Sequence, residues 1–268
     1  MKKNKQDNFF IKLKNNIYNI KTFSEYVKDG IGKAILYAFI LSLIIGGIQG
    51  ISMGFRAKNS IEKNISEFNN PKYDFTIKDG VLNMKNSPIK INENNGVFYL
   101  DSKKDLKDSE SLKDIYVHEN MYVLFLKDGI KIGQGANLNK QVSYNDLFSG
   151  TIDNKTVIND MKYLAIIIVP VLIIVTIIQY FISFLLNCLL VTAFSIIIGM
   201  IMGLRIKSKA LYSLSIYAAT LPSILLLPFS IIRPSVYFDN AFIAGATIYV
   251  IFILRYIKKD LLDNIKRI

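Results

Sequence analysis

Four stretches of the chain are almost free of charge: 33–55, 161–204, 210–232 and 241–257. Apolar runs of about 18 residues or more cannot face water on all sides, so they read as membrane spans. The first of them carries a second pattern. Every fourth residue from Gly30 is small: Gly30, Ala34, Ala38, Ser42, Gly46, Gly50 and Gly54. Steps of four advance about 400° on a helix, so such a ridge drifts by about 40° per step. Only three or four of these residues can meet one partner, and Ser42, Gly46, Gly50 and Gly54 are the expected contact. Ser195, Gly199 and Gly203 repeat the spacing further along. In lipid, close backbone approach is what holds helices together. The two sets are therefore expected to pack on each other. Homo-oligomerisation and a pore lined by small residues are the other uses of such a ridge.

Residues 1–32 are polar and basic, but Phe10, Leu13, Ile17, Ile20 and Val27 recur at three- and four-residue steps, while Lys12, Lys14, Asn15, Asn16, Asn19 and Lys21 fall elsewhere, on the polar side. That predicts a basic amphipathic helix lying in the headgroup region. From 56 to 160 the chain is polar. A helix is expected over 57–70, stopped by Asn69-Asn70-Pro71. The period then changes to two. Tyr73–Ile77 and Val81–Met84 flank Lys78-Asp79-Gly80, a hairpin signature. Further strands are expected at 88–91, 96–100, 121–126 and 130–132, with Lys127-Asp128-Gly129 repeating the turn chemistry. Ser102–Asp114 reads as a loop or surface helix, and Tyr144–Phe148 as the start of a short helix. The result is a small α/β domain over 56–160.

The stretch 161–204 holds 44 residues and one charge, Lys162. As one helix it would be about 65 Å long, twice the hydrocarbon core. Length therefore predicts two spans, 162–183 and 187–204, joined near Ser183–Asn187. Spans at 210–232 and 241–257 and a basic tail at 258–268 complete the plan: a 161–257 bundle behind a first helix at 33–55. Charge disagrees. The first 33 residues carry eight Lys, which places the N-terminus in the cytoplasm. Five spans would then put Arg205, Lys207, Lys209 and the tail (Arg255, Lys258, Lys259, Lys266, Arg267) outside. The positive-inside rule wants both groups inside, with 161–204 crossing once.

The formal net charge of +12 changes little else. Residues 56–160 hold 15 basic and 15 acidic side chains, so the surplus lies beside the apolar spans and suits anionic lipid rather than nucleic acid. The apolar core of 33–55 starts too late and runs too long for a cleaved signal peptide. The single cysteine, Cys188, allows no disulfide within the chain and no cysteine metal site. His118, the single histidine, reads as a surface residue. No catalytic, phosphate-binding or calcium-loop motif is present, so no enzyme activity, cofactor or metal is expected. Gln49 and Asn187 read as polar contacts between helices. Pro170, Pro222 and Pro228 read as kinks.

The layout resembles a known family. A basic amphipathic start ends in Gly32-Lys-Ala-Ile-Leu-Tyr37, and a glycine-rich span follows. The polar domain then contains Pro71-Lys-Tyr-Asp-Phe-Thr-Ile-Lys-Asp-Gly80 and Val97-Phe-Tyr-Leu-Asp101, and apolar helices close the chain. This is similar to the DUF1189 family, bacterial membrane proteins of Gram-positive species, some labelled maltodextrin-utilisation membrane proteins. The helical part is similar in plan to the five-span Rab-interacting Yip family. The resemblance implies a plasma-membrane location and a link to carbohydrate uptake, with a membrane protein such as a sugar transporter as partner. It supplies no functional residues.

The expectation is a polytopic α-helical membrane protein of about five apolar helices with an inserted extracytoplasmic α/β domain and the N-terminus inside. It acts as a non-enzymatic accessory or scaffold; the alternative is a small-solute transporter or permease component.

Overall fold

The computed structural model describes residues 8–26, 30–93, 96–134 and 138–265. Helices α1 (Phe9–Tyr18), α2 (Phe23–Tyr26) and α3 (Ile31–Phe68) come first. Strands β1 (Phe75–Lys78), β2 (Val81–Met84), β3 (Ile89–Glu93) and β4 (Gly96–Asp101) follow. Then come α4 (Lys113–Tyr116), β5 (Tyr122–Leu126), β6 (Gly129–Gln134), β7 (Leu138–Ser143), α5 (Tyr144–Leu147) and β8 (Thr151–Asp153). The chain closes with α6 (Asn154–Ile201), α7 (Ser208–Ala218), α8 (Thr220–Ile232) and α9 (Asp239–Ile265). These elements form two compact units: Met1–Ala57 with Ile168–Ile268, and Lys58–Ile167.

The first unit is helical. Among the described residues, three helices are long and apolar enough to cross a membrane: α3, α6 and α9 as far as Asp263. The pair α7 and α8 passes the same test jointly, with a 41° bend between them. The expected break at Ser183–Asn187 is absent, because α6 is a single helix of 48 residues. Ser183-Phe-Leu-Leu-Asn187 contains neither Gly nor Pro. Asn187 spends its amide on another helix, donating to Asp239 Oδ1 at 2.7 Å. Pro170 also lies within α6 without ending it. The expected boundary after Phe55 is absent too. No Gly or Pro occurs from Phe55 to Phe68, and α3 runs on until Asn69-Asn70-Pro71, where the Asn70 side chain caps the next turn by accepting from Lys72 N.

The N-terminal helix is shorter than its pattern predicts. Asn8 caps α1 through its side chain, and Asn19 ends it. A 3-10 turn (Ile20–Thr22) and α2 follow; Val27 lies outside the described residues. Phe9, Leu13 and Ile20 pack against the buried core of the helical unit. Asn16, which the amphipathic reading puts on the wet face, is fully buried. On α7, Leu211 and every residue from Ser213 to Ala218 are buried, as expected for a helix enclosed by others.

The second unit holds two sheets. One is antiparallel, in the order β2-β1-β8; the other has the order β3-β4-β5-β6-β7, in which only β4 and β5 run parallel. The β4–β5 crossover carries a 3-10 helix (Leu106–Leu112) and α4, which cover one face of the larger sheet around Val97, Tyr99, Leu124 and Leu126. Asp79 and Gly80 have φ of 51° and 75°, a two-residue turn with both positions left-handed. The second Lys-Asp-Gly does not repeat this chemistry. Phe125 pairs with Ile130, which shifts the turn onto Lys127-Asp128. Neighbouring chain holds it there: Lys127 O accepts from Leu82 N, Asp128 Oδ1 from Leu106 N and Asp128 O from Tyr144 N. Strands β7 and β8 fall outside the predicted set. β7 reads Leu-Asn-Lys-Gln-Val-Ser, a largely polar edge, and β8 has three residues.

Candidate functional site

The α7–α8 bend gathers a cluster of buried polar side chains inside the helical unit. Thr220, the first residue of α8, is fully buried. Its Oγ1 accepts from Asn16 Nδ2 at 3.3 Å and shares a 2.9 Å hydrogen bond with Tyr37 OH. Tyr249 OH donates to the Asn16 carbonyl at 2.8 Å, so α1, α3, α8 and α9 meet here. One turn earlier on α1, the Lys12 ammonium lies 5.1 Å from the ring centroids of both Tyr26 and Tyr217 and 3.4 Å from Tyr217 OH. Such contacts favour a desolvated cation over aromatic faces. Asn16 Oδ1 has no partner among the described residues.

Beside this seam, α3 and α6 run antiparallel at very close range. A β-carbon on Gly46 would lie 2.9 Å from Ile177 Cα, one on Gly50 2.7 Å from Ile173 Cα and one on Gly54 3.0 Å from Val169 Cα. Each step of four along α3 is matched by a step of four back along α6. Ser42, one step earlier, is fully buried and donates to the Ala38 carbonyl at 2.8 Å. This satisfies the hydroxyl within its own helix.

A cavity of about 110 Å³ lies near the last turn of α8, among Gln49, Ser52, Met53, Ser230, Ile231 and Pro234. Gln49 Nε2 donates to Ser230 Oγ at 2.7 Å, and Arg56 Nη2 donates to the Ile231 carbonyl at 2.5 Å. Gln49, Ser52, Met53 and Arg56 share one stripe of α3, since their spacing is i, i+3, i+4, i+7.

Among the described residues of the sheet-containing unit, two charged side chains are buried, Lys131 and Asp101. Lys131 is 0% exposed; its ammonium donates to Ser109 Oγ (3.1 Å), Glu110 Oε1 (3.0 Å) and Tyr116 OH (3.1 Å). Burial works against its charge, but the bonds to Tyr116 and Glu110 outweigh it and hold its pKa above the ordinary value. The same contact lowers the Glu110 pKa. A Lys beside a Ser suggests a base and a nucleophile. Here the ammonium is kept protonated, and Ser109 is buried while also accepting from Gln141 Nε2 at 3.2 Å. The pair is a structural tie. Asp101, 4% exposed, accepts from Ser87 Oγ, Tyr99 OH and Lys103 N. Burial and then the Asp101 charge push the Tyr99 hydroxyl up to about 12.

A family model described as "Protein of unknown function (DUF1189)" matches residues 10–254, nearly the whole chain. The chain belongs to the DUF1189 family. No curated protein and no solved structure matches it.

In this DUF1189 chain the two sets of small residues do not meet. Gly46, Gly50 and Gly54 lie against Ile177, Ile173 and Val169, and a β-carbon on Gly199 would find only Leu204 O, at 3.9 Å. Gly203 has φ +71° and nothing within 4 Å of an added β-carbon. It ends α6: Gly203 N donates to Met200 O and Leu204 N to Gly199 O, the paired bonds of a glycine helix stop. Ser195 is buried and donates to the Val191 carbonyl. Small spacing on the second helix was therefore a false cue, because a glycine on one helix admits the backbone of any residue on the other. His118 is exposed. The features missed from the sequence, Asn16, Thr220 and Lys131, are single polar residues within otherwise patterned segments. Lys131 stands out only as a Lys on the inward-facing alternation of β6.

Proposed function

We propose that the chain is an integral membrane protein with four crossings: α3, α6, the bent pair α7–α8, and α9. The observation that carries this reading is the continuity of α6, which supports counting 161–204 as one crossing; with the bent pair counted as one, the number is even. At a tilt of about 40° the apolar stretch still spans about 50 Å, so tilt and the headgroup layers together take up most of it and its ends reach the membrane surface. The N-terminus, Arg205, Lys207, Lys209 and the basic tail then share one side, the cytoplasm, as the positive-inside rule asks. Lys266 and Arg267 of that tail lie outside the described residues. The sheet-containing unit falls on the extracytoplasmic side of the plasma membrane of a Gram-positive-type bacterium.

Within this frame the protein is a non-enzymatic accessory or scaffold for another membrane component. The reading is supported by the way the sheet-containing unit spends its chemical groups: Lys131, Ser109 and Asp101 are tied into its own core. The link to carbohydrate uptake that the sequence resemblance implies makes a sugar-uptake system the first partner to look for. A second reading, a small-solute transporter, is favoured by one observation, the bent pair with Thr220, Asn16 and Tyr37 at its break. Cross-linking in intact cells followed by detergent purification separates them. The accessory reading expects one membrane partner in stoichiometric yield and no flux by the protein alone in liposomes. Solute uptake by the lone reconstituted protein would contradict it.

A further inference from the structure

The positive-inside rule leaves several basic residues unexplained, Lys155 and Lys162 at the start of α6 and two arginines among them. With four crossings, Arg56 and Arg233 fall on the extracytoplasmic side, where basic residues are depleted. The fold brings both to one place. Arg56 donates to the carbonyl of Ile231, and Arg233 follows two residues later as the C-cap of α8. Neither has an acidic partner among the described residues. Beside them is the cavity of about 110 Å³, whose polar lining is Gln49, Ser52 and Ser230. The Arg56 bond to Ile231 O offsets the negative end of α8, and a guanidinium keeps donors to spare after one such bond. The surrounding surface is apolar, with Phe55, Phe229 and Ile232 exposed at 53%, 58% and 69%.

We propose that Arg56, Arg233 and the Gln49–Ser52–Ser230 cavity form a binding site for a phosphate group, as carried by an anionic lipid headgroup at the outer surface or by free phosphate. Arginine suits phosphate through its planar set of donors. The Gln49 amide and the Ser52 hydroxyl supply neutral donors to the remaining oxygens, while Ser230, which gives its proton to the Leu227 carbonyl, holds the Gln49 amide in place. Phe55, Phe229 and Ile232 offer a path for acyl chains if the phosphate belongs to a lipid. The proposal rests on the membrane reading for the side on which the site lies.

The test is calorimetric titration of the purified full chain in maltoside micelles with dihexanoyl phosphatidylglycerol and, separately, sodium phosphate. The expected result is saturable one-to-one binding, weakened about tenfold by Arg56→Gln and by Arg233→Gln, the scale for losing a charge-assisted hydrogen bond. Lys207→Gln, at the far end of α7, leaves it unchanged. Binding of the lipid alone identifies a headgroup site, and equal binding of phosphate identifies a free-anion site; both uphold the proposal. Arg233 makes no side-chain hydrogen bond or ion pair among the described residues, so its variant stays informative if Arg56→Gln misfolds. Absence of binding, insensitivity to both substitutions, or an equal loss in Lys207→Gln overturns it. Because binding is read in micelles, its failure is separate from a failure of the proposed topology, which a reporter fusion reads.

Discussion

Gly50 of α3 packs directly on the backbone of Ile173 of α6: a β-carbon at Gly50 would lie 2.7 Å from the Ile173 Cα. Backbone cannot retreat as a flexible side chain can. Gly50→Ala is expected to cost about 1–3 kcal/mol through overpacking, and Gly50→Leu to force α3 and α6 apart. Insertion depends on overall hydropathy and should be unchanged. Gly47, with nothing within 4 Å of an added β-carbon, is the control: Gly47→Ala should be neutral or gain up to about 1 kcal/mol of helix propensity. Thermal unfolding in detergent reads the difference, and membrane fractionation reads insertion. Equal effects at the two positions would contradict this packing.

Gly203 serves a different purpose. Its φ of +71° is unfavourable for a residue with a β-carbon, so Gly203→Ala should cost about 1 kcal/mol. Gly199→Ala should be silent or slightly stabilising, because its added β-carbon meets only Leu204 O at 3.9 Å. A large loss at Gly199 would return that residue to a helix-packing role. The same unfolding measurement decides.

Lys131→Met removes a fully buried ammonium with three partners. Tyr116 and Ser109 then each lose one of their partners, Ser109 Oγ keeping Gln141 Nε2 and Tyr116 OH keeping the Ser109 carbonyl. The expected cost is about 2 kcal/mol or more, the range for hydrogen bonds to a charged group. Hydrogen exchange of β5 and β6 in the full chain should rise, while α3 and α6 near Gly50 keep their protection. A catalytic Lys131 would instead lose activity without loosening the sheet.

Glu110 gives the same tie a pH dependence. Hydrogen bonding and charge from Lys131 lower its folded-state pKa. A depressed carboxyl contributes stability above its unfolded value, about 4.3, which is lost as pH falls through the folded value. Protection of the residues around Lys131, corrected for intrinsic exchange, should therefore fall below about pH 4. Glu110→Gln should remove that acid-dependent step. Lys131, with its raised pKa, keeps its contribution below about pH 10 and loses it only at higher pH.

Much of the fold was legible because it is written in local patterns. β1 to β6 fall on the runs expected to be strands, and Asn69-Asn70-Pro71 marks the end of α3. The extent of α6 was not legible. Length alone assigned every apolar residue to the hydrocarbon core, although a helix can continue past it. The partner of the glycine ridge was hidden for another reason. Val169, Ile173 and Ile177 present their backbone to α3, and their large side chains conceal that role in a sequence. Asn16 was read as wet because its partner Thr220 lies 204 positions away. Nothing local to α1 records that contact.

The side of the C-terminus tests the four-crossing account most directly. A reporter pair fused after Ile268, one active only in the cytoplasm and one only outside, should show cytoplasmic activity, as should an insertion of the same pair between Arg205 and Lys209. Extracytoplasmic activity at Ile268 would mean an odd number of crossings and would contradict the account.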